Sequence, residues 1–202
     1  MNKQKFLKTL QSLGGWRERA FMLALAERAV PNASLYFENI DTSEVEQGTD
    51  LQLLLTEIWQ NLVIEPNEDA IIESLDRVVE LRTLSDDSEN YGALPTADCL
   101  ETIEQALLSG VNEDKKRALD ASQLSISTIT QFIEFSEGEG LDENGLIKLF
   151  DKHPLIEREF SFQAELNDLL RAATHPGSEV IKELRELAQD EGLSNLGISL
   201  TD

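Results

Sequence analysis

An all-α fold is what this sequence predicts: a single domain over residues 1–202, an irregular bundle of about eight or nine helices. Three observations predict it. Apolar residues recur at three- and four-residue steps in nearly every segment. Gly and Pro fall between those segments, where helices stop and start. There is no βαβ alternation and no repeat of constant period.

The first helix runs from about Asn2 to Leu13 and puts Phe6, Leu10 and Leu13 on one face. Gly14-Gly15 ends it. Trp16 to Val30 follows, and Pro31 is predicted to stop it. Its middle, AFMLALA, is apolar all round, which places this helix at the centre of the bundle. Asn32 to Phe37 leave room for a further helical turn beyond the proline. Asp50 to Leu62 is the clearest amphipathic helix, with Leu51, Leu54, Leu55, Ile58, Trp59 and Leu62 as its stripe. Pro66 restarts the chain, and Glu68 and Asp69 suit the first turn of a helix that runs to about Leu84.

After the polar stretch SDDSENYGALP, Thr96 opens a helix to about Leu108, closed by Gly110. A long helix spans about Asn112 to Phe135. Its Ser- and Thr-rich second half makes a strand over Ser125 to Phe132 a rival reading. The spacing of Leu119, Ile126, Ile129 and Ile133 favours helix. Ala118, Ala121, Ser122 and Ser125 form a small-residue face for close approach of a neighbour. Helices follow over Glu143 to Phe150, Pro154 to Ala173 and Gly177 to Glu191, the last capped by Gly192. The tail SNLGISL alternates weakly, as a short extended piece would. Trp16, Phe21, Leu25, Leu54, Ile58, Leu166, Leu170, Ile181 and Leu184 are predicted to share one core.

Composition narrows the function. Seventeen Lys and Arg against thirty-nine Asp and Glu give a net charge of −22. Nucleic-acid and anionic membrane surfaces repel such a chain, so neither is an expected partner. A basic protein partner is compatible with it. One cysteine, Cys99, rules out an internal disulfide and a thiolate metal cluster, and suits a reducing compartment. The longest apolar run, Ala20 to Ala26, is seven residues, against the roughly 20 that a membrane-spanning helix needs. No signal-peptide pattern opens the chain, and cytoplasm is the expected location. The sequence carries no signal for oligomeric state.

Phosphate loops, nucleophile elbows and zinc signatures are absent, and no metal or cofactor is expected. His153 and Glu157, four apart at a helix start, form the one weak acid–base or metal constellation. The bland alternative for His153 is a helix cap. Cys99 reads as a small buried residue rather than a nucleophile.

Four segments carry more than periodicity: WRERAFMLALAERAVPN, NYGALPTAD, EREFSFQAELNDLL and IKELRELAQDEGLSNLGI. In this order and spacing the chain resembles the YjaG-like bacterial family, the domain-of-unknown-function family numbered four hundred and sixteen. The resemblance spans Leu10 to Ile198. The family pattern has a cysteine in the helix ending at ERxxPN and an aromatic directly after the Asn. Here Ala26 and Ala33 stand there, and no role of those family residues carries over. The resemblance implies an all-α, single-domain, cytoplasmic bacterial protein and brings no activity with it. The family-motif residues Glu27, Arg28, Pro31, Asn32, Tyr91, Gly92, Pro95, Asp98, Ser194, Asn195 and Gly197 read as structural.

The function expected is therefore non-enzymatic, a protein-interaction or regulatory helical domain. The alternatives are an enzyme with a pocket around His153 and Glu157, and an acidic nucleic-acid mimic. One pairing is predicted within the motif set. Arg28, near the end of the central helix, needs a carboxylate if buried. Asp98 is the predicted partner, with Glu27 the other acid nearby. Were Arg28 to line an open pocket beside Tyr91, Asn32 and Asn195, the same residues would form an anion site.

Overall fold

The computed structural model describes residues 3–40, 47–63, 68–85, 90–112 and 114–199. In chain order these hold α1 (Lys3–Leu10), α2 (Trp16–Asn39), α3 (Gln47–Val63), α4 (Glu68–Leu84) and α5 (Ala93–Leu108). Then come α6 (Arg117–Glu137), α7 (Glu143–Phe150), α8 (Pro154–Ala172) and α9 (Ser178–Gln189). The predicted all-α bundle is what forms: nine helices among the described residues, and no strand, only an isolated bridge between Leu193 and Ser199. That bridge is the extended piece foreseen in the tail. The predicted restart at Pro66 lies outside the described residues.

α2 is the hub, in contact with α3, α5, α6, α8 and α9. The apolar run predicted this: Ala20, Phe21, Met22, Leu23, Ala24 and Ala26 are all fully buried. The predicted stop at Pro31 is wrong. α2 continues through the proline to Asn39. Proline removes one N–H, which leaves the Glu27 carbonyl without its helical donor, at a cost of about 3 kcal/mol. Beyond it Ala33, Tyr36 and Phe37 are buried, and the apolar area they remove from water outweighs that cost.

α5 begins three residues earlier than Thr96, at Ala93. Pro95 fits there because the first four N–H groups of a helix lack internal partners anyway. α6 is helical throughout its Ser/Thr-rich half. Its predicted small-residue face meets α8, where the Ser122 hydroxyl donates to Gln163 Oε1 at 2.6 Å. α9 stops at Gln189, two residues before the predicted end. Asp190 and Glu191 both take left-handed backbone, with φ of 43° and 56°.

Eight of the nine predicted core residues are buried in one apolar cluster, and Trp16 packs against it half-buried. A smaller cluster joins Ile129, Ile133 and the tail residue Leu196. Among the described residues no helix is long and apolar enough to cross a membrane.

Candidate functional site

Arg28 sits where α2 meets α8 and α9, and it is only 2% exposed. Its guanidinium is a permanent charge that must be paired when buried. Nε donates to Glu159 Oε2 and Nη1 to Asp190 Oδ2, both at 3.1 Å. Phe162 lies under the guanidinium, its ring centre 4.5 Å from Cζ. Glu159 is 1% exposed, and its other oxygen accepts from Ser125 Oγ and Gln163 Nε2. The predicted Arg28–Asp98 pair is thus overturned: the acids on Arg28 come from α8 and from the end of α9. Arg158 approaches Asp190 at 4.0 Å and donates to the Ser194 carbonyl. Burial and the nearby Arg28 charge both pull the Arg158 pKa below the usual arginine value.

Glu27, one residue earlier on α2, is buried and faces α3 and α9. Its Oε2 accepts from Trp59 Nε1 at 2.8 Å. Its Oε1 accepts from Gln189 Nε2 at 2.7 Å and from Arg185 through Nη2 at 3.0 Å and Nε at 3.3 Å. Arg185 also reaches Thr56 Oγ1. Glu27 therefore fixes two donors on α9 in place. Between α2, α3 and α9 lies a solvent-open cavity of about 340 Å³. Glu27, Arg28, Arg185 and Gln189 line its polar side, with Val30, Pro31 and Leu55 as an apolar wall. In a chain of net charge −22, this lining holds two guanidinium groups against one carboxylate.

The tail closes the cluster from the other end. Ser194 Oγ accepts from the backbone N–H groups of Leu196 and Ile198, which curls SNLGI into a tight turn. Gly197 supplies the φ of +78° that the turn requires. Asn195 accepts from Asn32 Nδ2 at 2.7 Å, and its N–H donates to the Arg28 carbonyl. Glu27, Arg28, Pro31, Asn32, Ser194, Asn195 and Gly197 thus belong to one connected region around the α2 proline.

The remaining motif residues lie where α5 meets α6. The Asp98 carboxylate accepts from Thr128 Oγ1 at 2.6 Å, and no cation bonds it among the described residues. Burial raises its pKa, with Glu101 adding to the shift and the Thr128 bond opposing it. Asp98, Cys99, Thr128 and Asn195 border a crevice of about 10 Å³, room for one water. Cys99 is 2% exposed and its thiol is pushed up to about 12 by burial, then by Asp98 and Glu27. That thiol is no nucleophile at neutral pH. Its Sγ faces the Ala26 carbonyl at 3.6 Å.

Tyr91 stacks on Phe135, ring centres 4.2 Å apart, rather than joining Arg28 and Asn32. Its hydroxyl is buried with no hydrogen-bond partner among the described residues, and burial, then Asp98, pushes its pKa up to about 12. At Gly92 a Cβ would sit 3.0 Å from Tyr36 Cδ2, so the close approach of this loop to α2 needs glycine. Pro95 is buried in the first turn of α5.

His153 is the N-cap of α8: its Nδ1 accepts from the Leu155 N–H, and its Nε2 lies 3.3 Å from Glu137 rather than beside Glu157. Glu157 is exposed to solvent. The acid–base constellation on these two residues is not formed. Among the described residues no group of three or more His, Cys, Asp or Glu converges as a metal site would require.

Residues 5–199 match the family described as "Protein of unknown function (DUF416)". The chain belongs to the DUF416 family. Relatives named "Uncharacterized protein YjaG" in Salmonella typhimurium and Escherichia coli are each 26% identical to it. The Salmonella match covers 94% of both chains, the Escherichia match 94% of this chain and 93% of the relative. An "Uncharacterized protein" of Haemophilus influenzae is also 26% identical, over 95% of each chain. The crystal structure of a DUF416 family protein from Shewanella baltica superposes with a TM-score of 0.82 at 27% identity, over 96% of this chain and 98% of that one. These relatives bring fold and family without an activity.

Within this DUF416 chain the sequence reading named the centre of the cluster and missed its periphery. Glu159, Asp190, Arg185, Gln189 and Trp59 hold Glu27 and Arg28 in place; Trp59 was read only as part of an apolar stripe, and the other four were not singled out. A signal for one of them was present. On α8, Glu159, Gln163 and Asn167 recur every four residues beside the apolar stripe Phe162, Leu166 and Leu170. All three are buried, so α8 turns a polar stripe as well as an apolar one inward.

Proposed function

We propose that this chain is a non-enzymatic regulatory domain of the cytoplasm that recognises a small polar molecule in the cleft between α2, α3 and α9. The observation that carries the reading is Arg28: a guanidinium only 2% exposed that nonetheless borders an open cavity. Small-ligand sites are concave, with an apolar wall and a few fixed polar groups. A volume of about 340 Å³ falls at the small end of the usual range of about 300–1,000 Å³. The one carboxylate in the lining, Glu27, is consumed by its own four hydrogen bonds, so it positions donors rather than moving protons. That favours binding over catalysis. The ligand bridges the buried α2 to α3 and α9, so its arrival stiffens two elements, α3 and α9, that keep exposed faces for a protein partner.

Native mass spectrometry tests this. The full chain is incubated with a bacterial small-molecule extract, and with the same extract for the Arg185→Gln variant. A reproducible small-molecule adduct on the wild type, lost in the folded variant, is the expected result. No adduct on either protein at millimolar metabolite concentrations would remove the reading.

A further inference from the structure

The outer edge of Arg28 is occupied by a side chain that is poorly suited to stay there. Nε and Nη1 carry the bonds to Glu159 and Asp190, and Nη2 carries neither of them. Glu159 is buried and anchored by Ser125 and Gln163. Asp190 differs on both counts: it is 42% exposed, and it sits on strained backbone. Asp190, Glu191 and Gly192 have φ of 43°, 56° and 89° in succession, and only the last is glycine. Left-handed backbone at non-glycine residues persists only where the surroundings hold it. The Arg28 bond holds the Asp190 side chain, beside backbone bonds from its N–H to the Glu186 carbonyl and from the Leu193 N–H to its carbonyl, and Gly192 borders the cleft.

We propose that the Asp190 carboxylate is an internal stand-in for the carboxylate of a small amphiphilic ligand, which displaces it from Arg28 on binding. This rests on the cleft reading above and gives it a ligand class. The ligand carboxylate takes Nη1 and Nη2 of Arg28 as a bidentate pair, a geometry suited to a planar fork. Its apolar part lies on Val30, Pro31 and Leu55. Asp190 then turns toward Arg158, already 4.0 Å away. Charge balance selects a monocarboxylate. Arg28, Arg158 and Arg185 face Glu27, Glu159 and Asp190, three charges of each sign. Asp190 keeps its place in that count on Arg158, while the cleft lining itself holds Arg28 and Arg185 against Glu27 alone, a surplus of one positive charge that a monocarboxylate neutralises and a phosphate dianion exceeds. A cationic ligand finds no free acid, since Glu27 is saturated.

The ligand's apparent affinity falls by the fraction of molecules whose Arg28 is free, so removing the internal competitor raises it. The variant is Asp190→Asn, because asparagine tolerates left-handed backbone and drops the charge. The probes are hexanoate and its uncharged match hexanamide, titrated into full-length wild type and variant. The readout is the Trp59 indole N–H resonance, since that group donates to Glu27, with Trp16 as internal control. Unchanged circular dichroism establishes that the variant folds.

The expected result is that hexanoate shifts the Trp59 signal, with a midpoint about tenfold lower in Asp190→Asn, while hexanamide leaves it in place. Equal hexanoate midpoints in the two proteins overturn the displacement by Asp190 and leave the cleft reading intact. Hexanamide acting as well as hexanoate overturns the carboxylate class, again with the cleft intact. No Trp59 shift with either probe in either protein overturns the inference, and the adduct screen then decides the cleft reading separately.

Discussion

Where α2 meets α8 and α9, a buried cation is surrounded: Arg28 bonds two carboxylates, and one of those carboxylates is bonded again by a serine and a glutamine. Where α5 meets α6, the half-buried Asp98 has among the described residues a single side-chain hydrogen bond, from Thr128, and its carboxyl pKa is raised. The difference follows from the side chains. Arginine cannot shed its charge in a protein, so burying it obliges the fold to bring acids to it. Aspartate can take up a proton, so its burial is accommodated by a raised pKa instead. The first region ties α2, α8 and the α9 end together; the second tolerates its charge.

The largest expected effect tests the first half of that contrast. Arg28→Met leaves Glu159 buried without its cation, and should lower stability by about 3–5 kcal/mol in urea denaturation. A loss below about 1 kcal/mol would show that water reaches Glu159 and that the region is not a closed network. Glu27→Gln keeps the shape but removes the charge facing Arg185, and should cost about 1.5–3 kcal/mol, with a displaced Trp59 indole signal. Gly197→Ala forces a Cβ onto a φ of +78° and should cost about 1–2 kcal/mol by the same assay. That would loosen the tail that carries Asn195 to Arg28.

The smallest effect belongs to the second region. The native pKa of Asp98 is raised above its ordinary 3.8, so the ionised form burdens the folded state. The stability this site contributes is full below the unfolded value and is lost as pH rises through the native pKa. Asp98→Asn keeps an acceptor for Thr128 and removes that loss. It should match or exceed wild-type stability at pH 7, within about 1 kcal/mol, with the gap closing in acid. A marked destabilisation at pH 7 would mean that Asp98 has a cation after all.

The two regions were also unequally legible in the sequence. Helical periodicity exposed the bundle, the central place of α2 and nearly all of the predicted core, because apolar burial leaves a periodic trace in one strand of text. The partners of Arg28 left less. Glu159 stands 131 positions away and Asp190 162 positions away, and an acidic chain offers many carboxylates of equal appearance. Asp98 was preferred because it stands in a recognisable motif, which says that a residue matters and not what it touches. Pro31 misled for a related reason: local rules set its cost, while burial of Ala33, Tyr36 and Phe37 beyond it is a tertiary fact. The α9 end was overrun because Asp190 leaves the helix to reach Arg28, a bond invisible to propensity.

Two double-mutant cycles that share Arg28→Met measure most directly where Arg28 belongs. One pairs it with Glu159→Gln, the other with Asp98→Asn, each read as unfolding free energy in urea. The expected coupling is about 2 kcal/mol or more with Glu159 and within about 0.5 kcal/mol of zero with Asp98. A coupling to Asp98 as large as that to Glu159 would contradict the division of buried charge between the two sides of this bundle.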